Sequence, residues 1–404
     1  MNRAPRFPKF GAGDQRARIE GIAAAAGLDL AAFAARSFAI TGSNGKGSTA
    51  AMLQSILEQA GRRTGLFTSP HMLDLNERIR IGGADISDTD IDAHWRKVEA
   101  VSDAWLASRR DQQLGAFEFL FLVAASAFAE AGCDALVWEA GIGGRHDVTR
   151  FARAHLAALV SLDLEHTALL GDTLEQIACD KADIAPDGGT LLLGESVAPF
   201  LDLIAAHVAP RGVRVDLARA QDNTPLLGAH QASNAGLAAA LAGAGAQARE
   251  AAVRAGLAAT RWPGRLETIG RDPLIVIDVG HTPRAIEAAL AGFRTLVPRG
   301  GLLVCGASHD KSAADMIGPL ARAFDDIIAT RAWHKGARVA EIAAFARAAN
   351  PGAQVKTAGD VAAAHAHALG DTRGEAIYVA GGHFLAAEFK AVHQGRDPTE
   401  LVFF

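Results

Sequence analysis

Eight consecutive residues, Gly42-Ser43-Asn44-Gly45-Lys46-Gly47-Ser48-Thr49, combine the groups needed to hold a phosphate chain. They follow an apolar run, Phe38-Ala39-Ile40-Thr41, and precede a helix-like stretch over Ala50 to Ala60, so they read as strand, glycine loop and helix start. Gly42, Gly45 and Gly47 let backbone N–H groups converge on phosphate oxygens, and the helix N-terminus adds partial positive charge. Lys46 can reach the β- and γ-phosphates, and Ser48 or Thr49 can offer a hydroxyl to Mg2+. The spelling is the short form Gly-x-x-Gly-Lys-x-Ser, because Ile40 stands where the longer form has glycine. Nucleotide binding is the expectation, with a plain turn as the alternative.

Open α/β sheets bind ligands beyond the carboxyl ends of their strands, so polar residues just after strand-like runs come next. Glu139 follows Leu136-Val137-Trp138 and precedes Ala140-Gly141-Ile142-Gly143-Gly144-Arg145. A carboxylate there can hold Mg2+, which takes one or two protein carboxylates plus phosphate oxygens and water; an ordinary strand-end charge is the other reading. His166, in Asp163-Leu164-Glu165-His166-Thr167, reads either as a hydrogen-bonded histidine or as a ligand. Lys181, in Cys179-Asp180-Lys181-Ala182, reads from its surroundings as a solvated helix lysine. Asp278 and His281, in Asp278-Val279-Gly280-His281-Thr282-Pro283, suit a ligand-facing turn or a helix cap, with Pro283 near the first helical position.

Elements that position these residues alternate along the chain. Strand-like runs at Ser37 to Thr41, Ala135 to Glu139, Leu156 to Leu162 and Thr190 to Leu193 are separated by helix-like ones, which implies a parallel sheet covered by helices. Gln231 to Ala259 reads as one or two helices, with caps available at Ser233 and Asn234. Thr260-Arg261-Trp262-Pro263-Gly264-Arg265 breaks that pattern and reads as a linker. Beyond it the alternation restarts at Leu274 to Asp278, Leu302 to Cys305, Asp326 to Ala329 and Ala376 to Val379. The expected class is α/β, as two doubly wound domains: an N-terminal P-loop ATP-binding domain over 1–264 and a smaller C-terminal Rossmann-like domain over 265–404.

Composition narrows the partners. Forty basic against 45 acidic residues give a net charge of −5, which argues against a broad nucleic-acid surface and for small-molecule partners. Cys133, Cys179 and Cys305 are widely spaced with no Cys-x-x-Cys pair, as expected in a reducing cytoplasm. The longest mostly apolar run, Phe119 to Ala129, is too short to span a bilayer, and no leader-like apolar run opens the chain, so neither export nor a membrane partner is expected. A monomer is the expected state.

The order of these pieces resembles the folylpolyglutamate synthase and dihydrofolate synthase family, within the Mur-type ATP-dependent amide ligases. The resemblance rests on Thr41 to Ser48, Thr68-Ser69-Pro70-His71, Asn76-Glu77-Arg78-Ile79-Arg80, Phe117-Glu118-Phe119-Leu120, Glu139 to Arg145, Asp163 to Thr167, Asp180-Lys181-Ala182, Trp262 to Arg265 and Asp278 to Pro283. It implies that Lys46 and the loop from Gly42 through Asn44, Gly45 and Gly47 to Ser48 and Thr49 hold ATP. It also implies that Ser48, Ser69, Glu139 and His166 hold Mg2+, with Lys181 as a carbamylated lysine whose added CO2 turns an amine into an anionic oxygen ligand. Asn234 and Arg265 would contact the nucleotide, and Asp278 and His281 would reach it from the second domain. The implied reaction activates a carboxylate as an acyl phosphate and couples it to an amino acid, in the family glutamate on a folate. Catalytic roles fall on Lys46, His166, Lys181 and Arg265.

Three segments depart from the family's pattern. Where the family usually reads Gly-Gly-Arg-Leu-Asp-Ala-Thr-Asn, this chain has Gly143-Gly144-Arg145-His146-Asp147-Val148-Thr149-Arg150. That segment lies near the pterin in the family, so Asp147, Val148 and Arg150 are expected on the substrate side, with Val148 crowding a flat ring and Arg150 favouring an extra anionic group. Val279, Gly280 and Thr282 replace Gly, Ala and Asn, and Gly381-Gly382-His383 stands where the family tends to have Gly-Ser. The implied alternatives are the same chemistry on a non-folate acid or with another amine, or an ATP-binding regulator without catalysis.

Overall fold

The computed structural model describes residues 5–221, 224–371 and 376–403. Its eight-stranded first sheet holds β1 (Ser37–Thr41), β2 (Thr64–Phe67), β3 (Ile79–Ile81), β4 (Ala84–Asp85), β5 (Ala135–Glu139), β6 (Leu156–Leu159), β7 (Thr190–Leu193) and β8 (Arg214–Leu217). They lie in the order β4-β3-β2-β5-β1-β6-β7-β8, parallel from β2 to β8, with β3 and β4 added antiparallel at one edge. The second sheet holds β9 (Glu267–Arg271), β10 (Leu274–Ile277), β11 (Leu302–Cys305), β12 (Asp326–Ala329), β13 (Gln354–Thr357) and β14 (Ile377–Ala380). Its order is β13-β12-β11-β14-β10-β9, parallel except for β9. Both units are therefore α/β with mixed sheets.

Why these segments become strands follows from burial on two faces. β1, β5, β7, β11 and β14 are buried along their whole length, and a strand covered by helices on both faces needs a continuous apolar run. The strands that such a search passes over are mostly at edges. β8 reads Arg-Val-Asp-Leu, β13 Gln-Val-Lys-Thr and β9 Glu-Thr-Ile-Gly-Arg, all half-exposed, so polar residues are tolerated and no apolar run marks them. β6 stops at Leu159, three residues short of the expected end, because Val160 to Leu162 leave the ladder to wall the phosphate loop.

Helices fill both faces. The helix Lys46–Gln59 begins four residues earlier than its apolar pattern suggests, so Lys46 is its first residue. It packs against helices His230–Ala246 and Glu250–Ala259 in a core that includes Met52, Leu53, Ile56, Leu237 and Leu241. Ser233 and Asn234 lie inside the helix His230–Ala246 and cap nothing at its start. On the opposite face, Phe67, Phe121, Phe128 and Trp138 pack around the helix Ala116–Glu130, with ring centroids 5.0–6.5 Å apart.

One ion pair pins the N-terminal helix Gln15–Ala25 to this face. Arg18 is 2% exposed and donates to both carboxylate oxygens of Glu118 at 3.0 and 2.8 Å, and also to the Ala12 carbonyl at 2.6 Å. Glu118 in turn accepts the Gly115 N–H at 2.9 Å, closing the start of its own helix. Removing one member of a buried pair leaves the other uncompensated. Glu118→Ala is expected to cost about 3–5 kcal/mol in urea unfolding, and the double change Arg18→Met/Glu118→Leu clearly less; equal losses would show that packing, not the stranded charge, dominates.

Candidate active site

The carboxyl ends of β1, β5, β6 and β7 face the carboxyl end of β10 across a cleft of about 740 Å3. Its floor is the phosphate loop. Gly45 has φ 85° and caps the helix Lys46–Gln59 in the left-handed region; a Cβ there would also lie 2.6 Å from Asn234 Oδ1, so glycine is required twice over. Lys46 Nζ donates to the carbonyls of Gly42 at 2.7 Å and Ser43 at 3.3 Å, folding its charge over its own loop. Asn44 Nδ2 reaches Thr282 Oγ1 at 3.3 Å, a contact between the loop and the second sheet's turn.

Two loop residues expected at the ligand do not reach the cleft wall. Gly42 turns away and packs against Val160 and Ser161, offering only its carbonyl to Lys46. Thr49 is fully buried with its hydroxyl unpartnered, whereas Ser48 lines the cleft within 3.5 Å of Gln231 Nε2. Of the two hydroxyls, only Ser48 faces a ligand.

Glu139 ends β5, 3% exposed. One oxygen accepts from the Thr68 hydroxyl and, at 3.0 Å, from the Ser69 N–H. The other has no hydrogen bond among the described residues and is free for a cation. Burial pushes its carboxyl up, opposed by Lys46, Thr68, Ser69 and Arg265. Ser48, Ser69, Glu139 and His166 share the wall of this one cleft. No cluster of three His, Cys, Asp or Glu able to hold a metal by itself occurs among the described residues. That donor set suits a hard ion completed by phosphate oxygens and water, and not a closed protein cage.

Lys181 is 1% exposed and is not the solvated lysine of a surface helix. Its ammonium lies 2.9 Å from Glu165 Oε1, and Glu165 lines the cleft. Burial raises the Glu165 carboxyl, but Lys46 and Lys181 outweigh it and hold the group down to about 2. Burial lowers Lys181 despite Glu165, which favours the neutral amine. His166 sits in the left-handed region with φ 47°, opens on the cleft, and is shifted down by burial against the opposing charge of Glu165. Glu165 carries no role in the sequence motifs; its place beyond β6, beside His166, is the signal that marks it.

The linker is part of the site. Arg265 lines the cleft, and burial lowers its guanidinium while Asp278 and Glu139 oppose that shift. Among the described residues its one hydrogen bond is a long one, 3.4 Å, to the Gly264 carbonyl, so most of its donors remain available. Asp278 lines the cleft and accepts the N–H groups of Leu266 at 3.0 Å and Gly280 at 2.7 Å, which pins its own turn to the linker; it does not cap the helix that follows. Thr282 caps the following helix Pro283–Leu296. His281 opens on the cleft with Nδ1 3.3 Å from the Val279 carbonyl. Asn234 also lines it, donating to Gln231 at 2.9 Å. Lys311 and His383 join the wall, both beyond strand ends and both missed as site residues.

The segment expected at the substrate is placed elsewhere. Asp147 is 5% exposed and its carboxylate is consumed by the N–H groups of Gly141, Ile142 and Thr149 and the Thr149 hydroxyl, which clamps the glycine run after Glu139. Val148 is 2% exposed in the core beside Phe151 and Ala152, so it cannot crowd a ring in the cleft. Arg150 donates to the Arg145 carbonyl and lines a different cavity, at the amino ends of the strands. A short 3-10 turn over Val148–Ala152 carries the chain from one end of the sheet to the other.

Comparison with known proteins fits this geometry. Residues 264–383 match the Mur ligase, glutamate ligase domain. The dihydrofolate synthase/folylpolyglutamate synthase of Escherichia coli is 32% identical over 308 residues, covering 72% of this chain and 71% of that protein. The chain belongs to the folylpolyglutamate synthase/dihydrofolate synthase family. A Halobacterium salinarum bifunctional folylpolyglutamate synthase/dihydropteroate synthase is 36% identical over 308 residues, and the match spans 70% of this chain but only 37% of that relative. The structure of E. coli FolC in complex with DHPP and ADP superposes with a TM-score of 0.83 at 27% identity, covering 96% of this chain and 94% of that one.

In this family member the cleft histidine His383 provides a test of burial. Among the described residues its Nε2 is buried without a hydrogen-bond partner, and burial, with His71, Arg265 and His281, pushes the ring down to about 3. An unfolded histidine takes a proton near pH 6.5, so below that the unfolded chain binds more protons and stability falls as pH drops towards 3. Between pH 6.5 and pH 5, His383→Asn is expected to lose about 2 kcal/mol less than wild type. Urea midpoints at pH 7 and 5 measure this; equal pH sensitivity would mean that the ring titrates normally.

Proposed function

We propose that this chain is an ATP-dependent acid–amino-acid ligase, with glutamate as amine donor and a folate-type acid as acceptor. The observation that carries the reading is that Lys46, Glu139 and Arg265, from three separate segments, open on one cleft between two sheets. The γ-phosphoryl group of ATP passes to a carboxylate oxygen of the acid, releasing ADP. The amino group then attacks the acyl carbon, the C–N bond forms as the acyl C–O bond breaks, phosphate leaves with the oxygen, and the nitrogen gives up one proton.

Each residue has a role in that sequence. The loop N–H groups and Lys46 cradle the phosphates, Lys46 exchanging its two carbonyl contacts for phosphate oxygens. Arg265 presents unused donors where charge spreads over the transferring group. Ser48, Ser69, Glu139 and His166 would hold Mg2+, which when bound neutralises charge on the β- and γ-oxygens. Lys181, with its amine shifted towards the neutral form, is suited to take up CO2: Nζ bonds to carbon, one proton leaves, and an anionic carbamate results. That carbamate would stand beside the Glu165 carboxylate, so it needs a cation between them, and Lys46 already acts on both groups. Asp147, Val148 and Arg150 have no part in the cleft chemistry.

We place the domain division at 264/265, which leaves Arg265 at the hinge, and take the working form to be a monomer in the cytoplasm acting on small molecules. No helix among the described residues is long and apolar enough to cross a membrane.

Two assays test the reading. ADP release should require both an acid such as dihydropteroate and glutamate, and Lys46→Ala should lower kcat about 100-fold or more while the urea midpoint stays near wild type. ATP binding without phosphate release for any pair of acid and amine would leave a nucleotide-binding regulator. Lys181→Ala should lose most activity and regain part of it with added formate or acetate, which replace the carbamate oxygens; full activity without rescue would remove Lys181 from the mechanism.

A further inference from the structure

A second cavity lies apart from the cleft. It has a volume of about 1030 Å3 and lies at the opposite end of the first sheet, where Ser37, Leu156, Thr190 and Arg214 begin β1, β6, β7 and β8. Five arginines line it, at positions 16, 150, 153, 211 and 214, brought from well separated segments. Four carboxylates line it as well, at positions 20, 183, 187 and 216. The charges are unequally matched. Arg153 pairs with Glu20 at 3.0 Å, and Arg211 pairs with Asp183 at 2.8 Å. Asp183 is already shared with Arg145 at 2.7 Å and His207 at 2.9 Å.

Two guanidiniums are left over. Arg150 donates only to the Arg145 carbonyl, and Arg214 only to the Thr190 hydroxyl at 3.2 Å; neither has a carboxylate within ion-pair distance among the described residues. Burial disfavours the charge of Arg150, which stands between the opposing fields of Asp183 and Asp187 on the one hand and of Arg16 and Arg211 on the other. Apolar residues, Phe38, Phe151, Leu156 and Pro186 among them, form the rest of the wall. An open, partly apolar wall that carries unpaired guanidinium forks fits the paired oxygens of carboxylate or phosphate groups.

We propose that this cavity is a second ligand site, which binds a small organic anion carrying at least two oxyanion groups, with Arg150 and Arg214 as its direct ligands. Phosphates and carboxylates share the required chemistry. The site is connected to the cleft through one loop: its last residues, Arg150 and Phe151, wall the cavity, while its first, Glu139 and Gly141, wall the cleft. Asp147 clamps the middle of that loop.

Calorimetry at fixed ionic strength tests the proposal, with pyrophosphate and citrate as the phosphate and carboxylate probes and chloride as the control. One saturable event is expected for at least one probe, and which one binds identifies the source chemistry. It should persist in Lys46→Ala, where the phosphate loop has lost its cation, so the outcome does not depend on the ligase reading. It should weaken about tenfold or more in Arg150→Ala. Arg214→Gln, an exposed change on the edge strand β8 that leaves the fold intact, should weaken it similarly. Loss of binding in Lys46→Ala, wild-type affinity in both arginine variants, or no saturable binding of either probe would overturn the proposal.

Discussion

Charge withdrawn from water at the junction of two sheets is the constraint on which this structure depends. Glu139, Glu165 and Asp278 project from strand ends into one cleft, and so do Lys46, Arg78 and Arg265. An isolated buried charge costs several kcal/mol, so each must be matched by opposite charge or by N–H groups. Asp278 is matched by two N–H groups and Glu139 by one N–H and a hydroxyl, while Glu165 is matched by Lys181. The arginine of the linker is matched least. Its guanidinium is held between the fields of Asp278 and Glu139 without an ion pair to either among the described residues. A site built this way is incomplete until an anion arrives, which is the condition a phosphate chain satisfies.

The contacts that join the two sheets are of a different kind. Arg78 donates to His71 Nδ1 at 2.8 Å, which leaves His71 Nε2 as the donor to the Val402 carbonyl at 2.8 Å. Phe403 lies flat against the His71 ring, and Arg396 forks onto both oxygens of Asp74 at 2.9 Å. Solvent-exposed pairs such as the last contribute about 0.2–1 kcal/mol each. In the proposed reaction a closed seam would keep out water, which competes with the amine for an acyl phosphate.

Legibility in the sequence followed burial. Interior strands such as β1, β5 and β11 are legible because two buried faces demand an unbroken apolar run; β2 is buried as well but reads Thr-Gly-Leu-Phe, too short an apolar run to mark it. Edge strands are not legible, because one exposed side admits the Arg and Asp of β8 or the Gln and Lys of β13. The phosphate loop was readable because its chemistry is local, all of it within eight residues. Glu165 carries no role in the sequence motifs, because its meaning lies in a lysine 16 residues away that reaches it only after the chain folds. Val148 and Arg150 were misplaced for a geometric reason. Motif order locates a residue along the chain, but a five-residue 3-10 turn decides which end of the sheet its side chain faces.

That misplacement changes where this chain's departures from its relatives act. With Val148 in the core and Arg150 at the far end of the sheet, the altered 146–150 segment loses its bearing on the acid in the cleft. Val279 is buried and packed against Gly264 of the linker, and with Gly280 it lines the cleft. Thr282 and His383 are the polar departures. Thr282 both caps its helix and receives Asn44 from the phosphate loop, so it joins the two domains at the nucleotide. His383 faces the cleft with a buried nitrogen, unpartnered among the described residues, that stays neutral at physiological pH, a group that can donate or accept but does not repel a cation. The differences that reach the cleft, at Val279, Gly280 and His383, therefore lie on the second sheet's wall, and the glycine-loop residues on the first sheet are left unaltered by them.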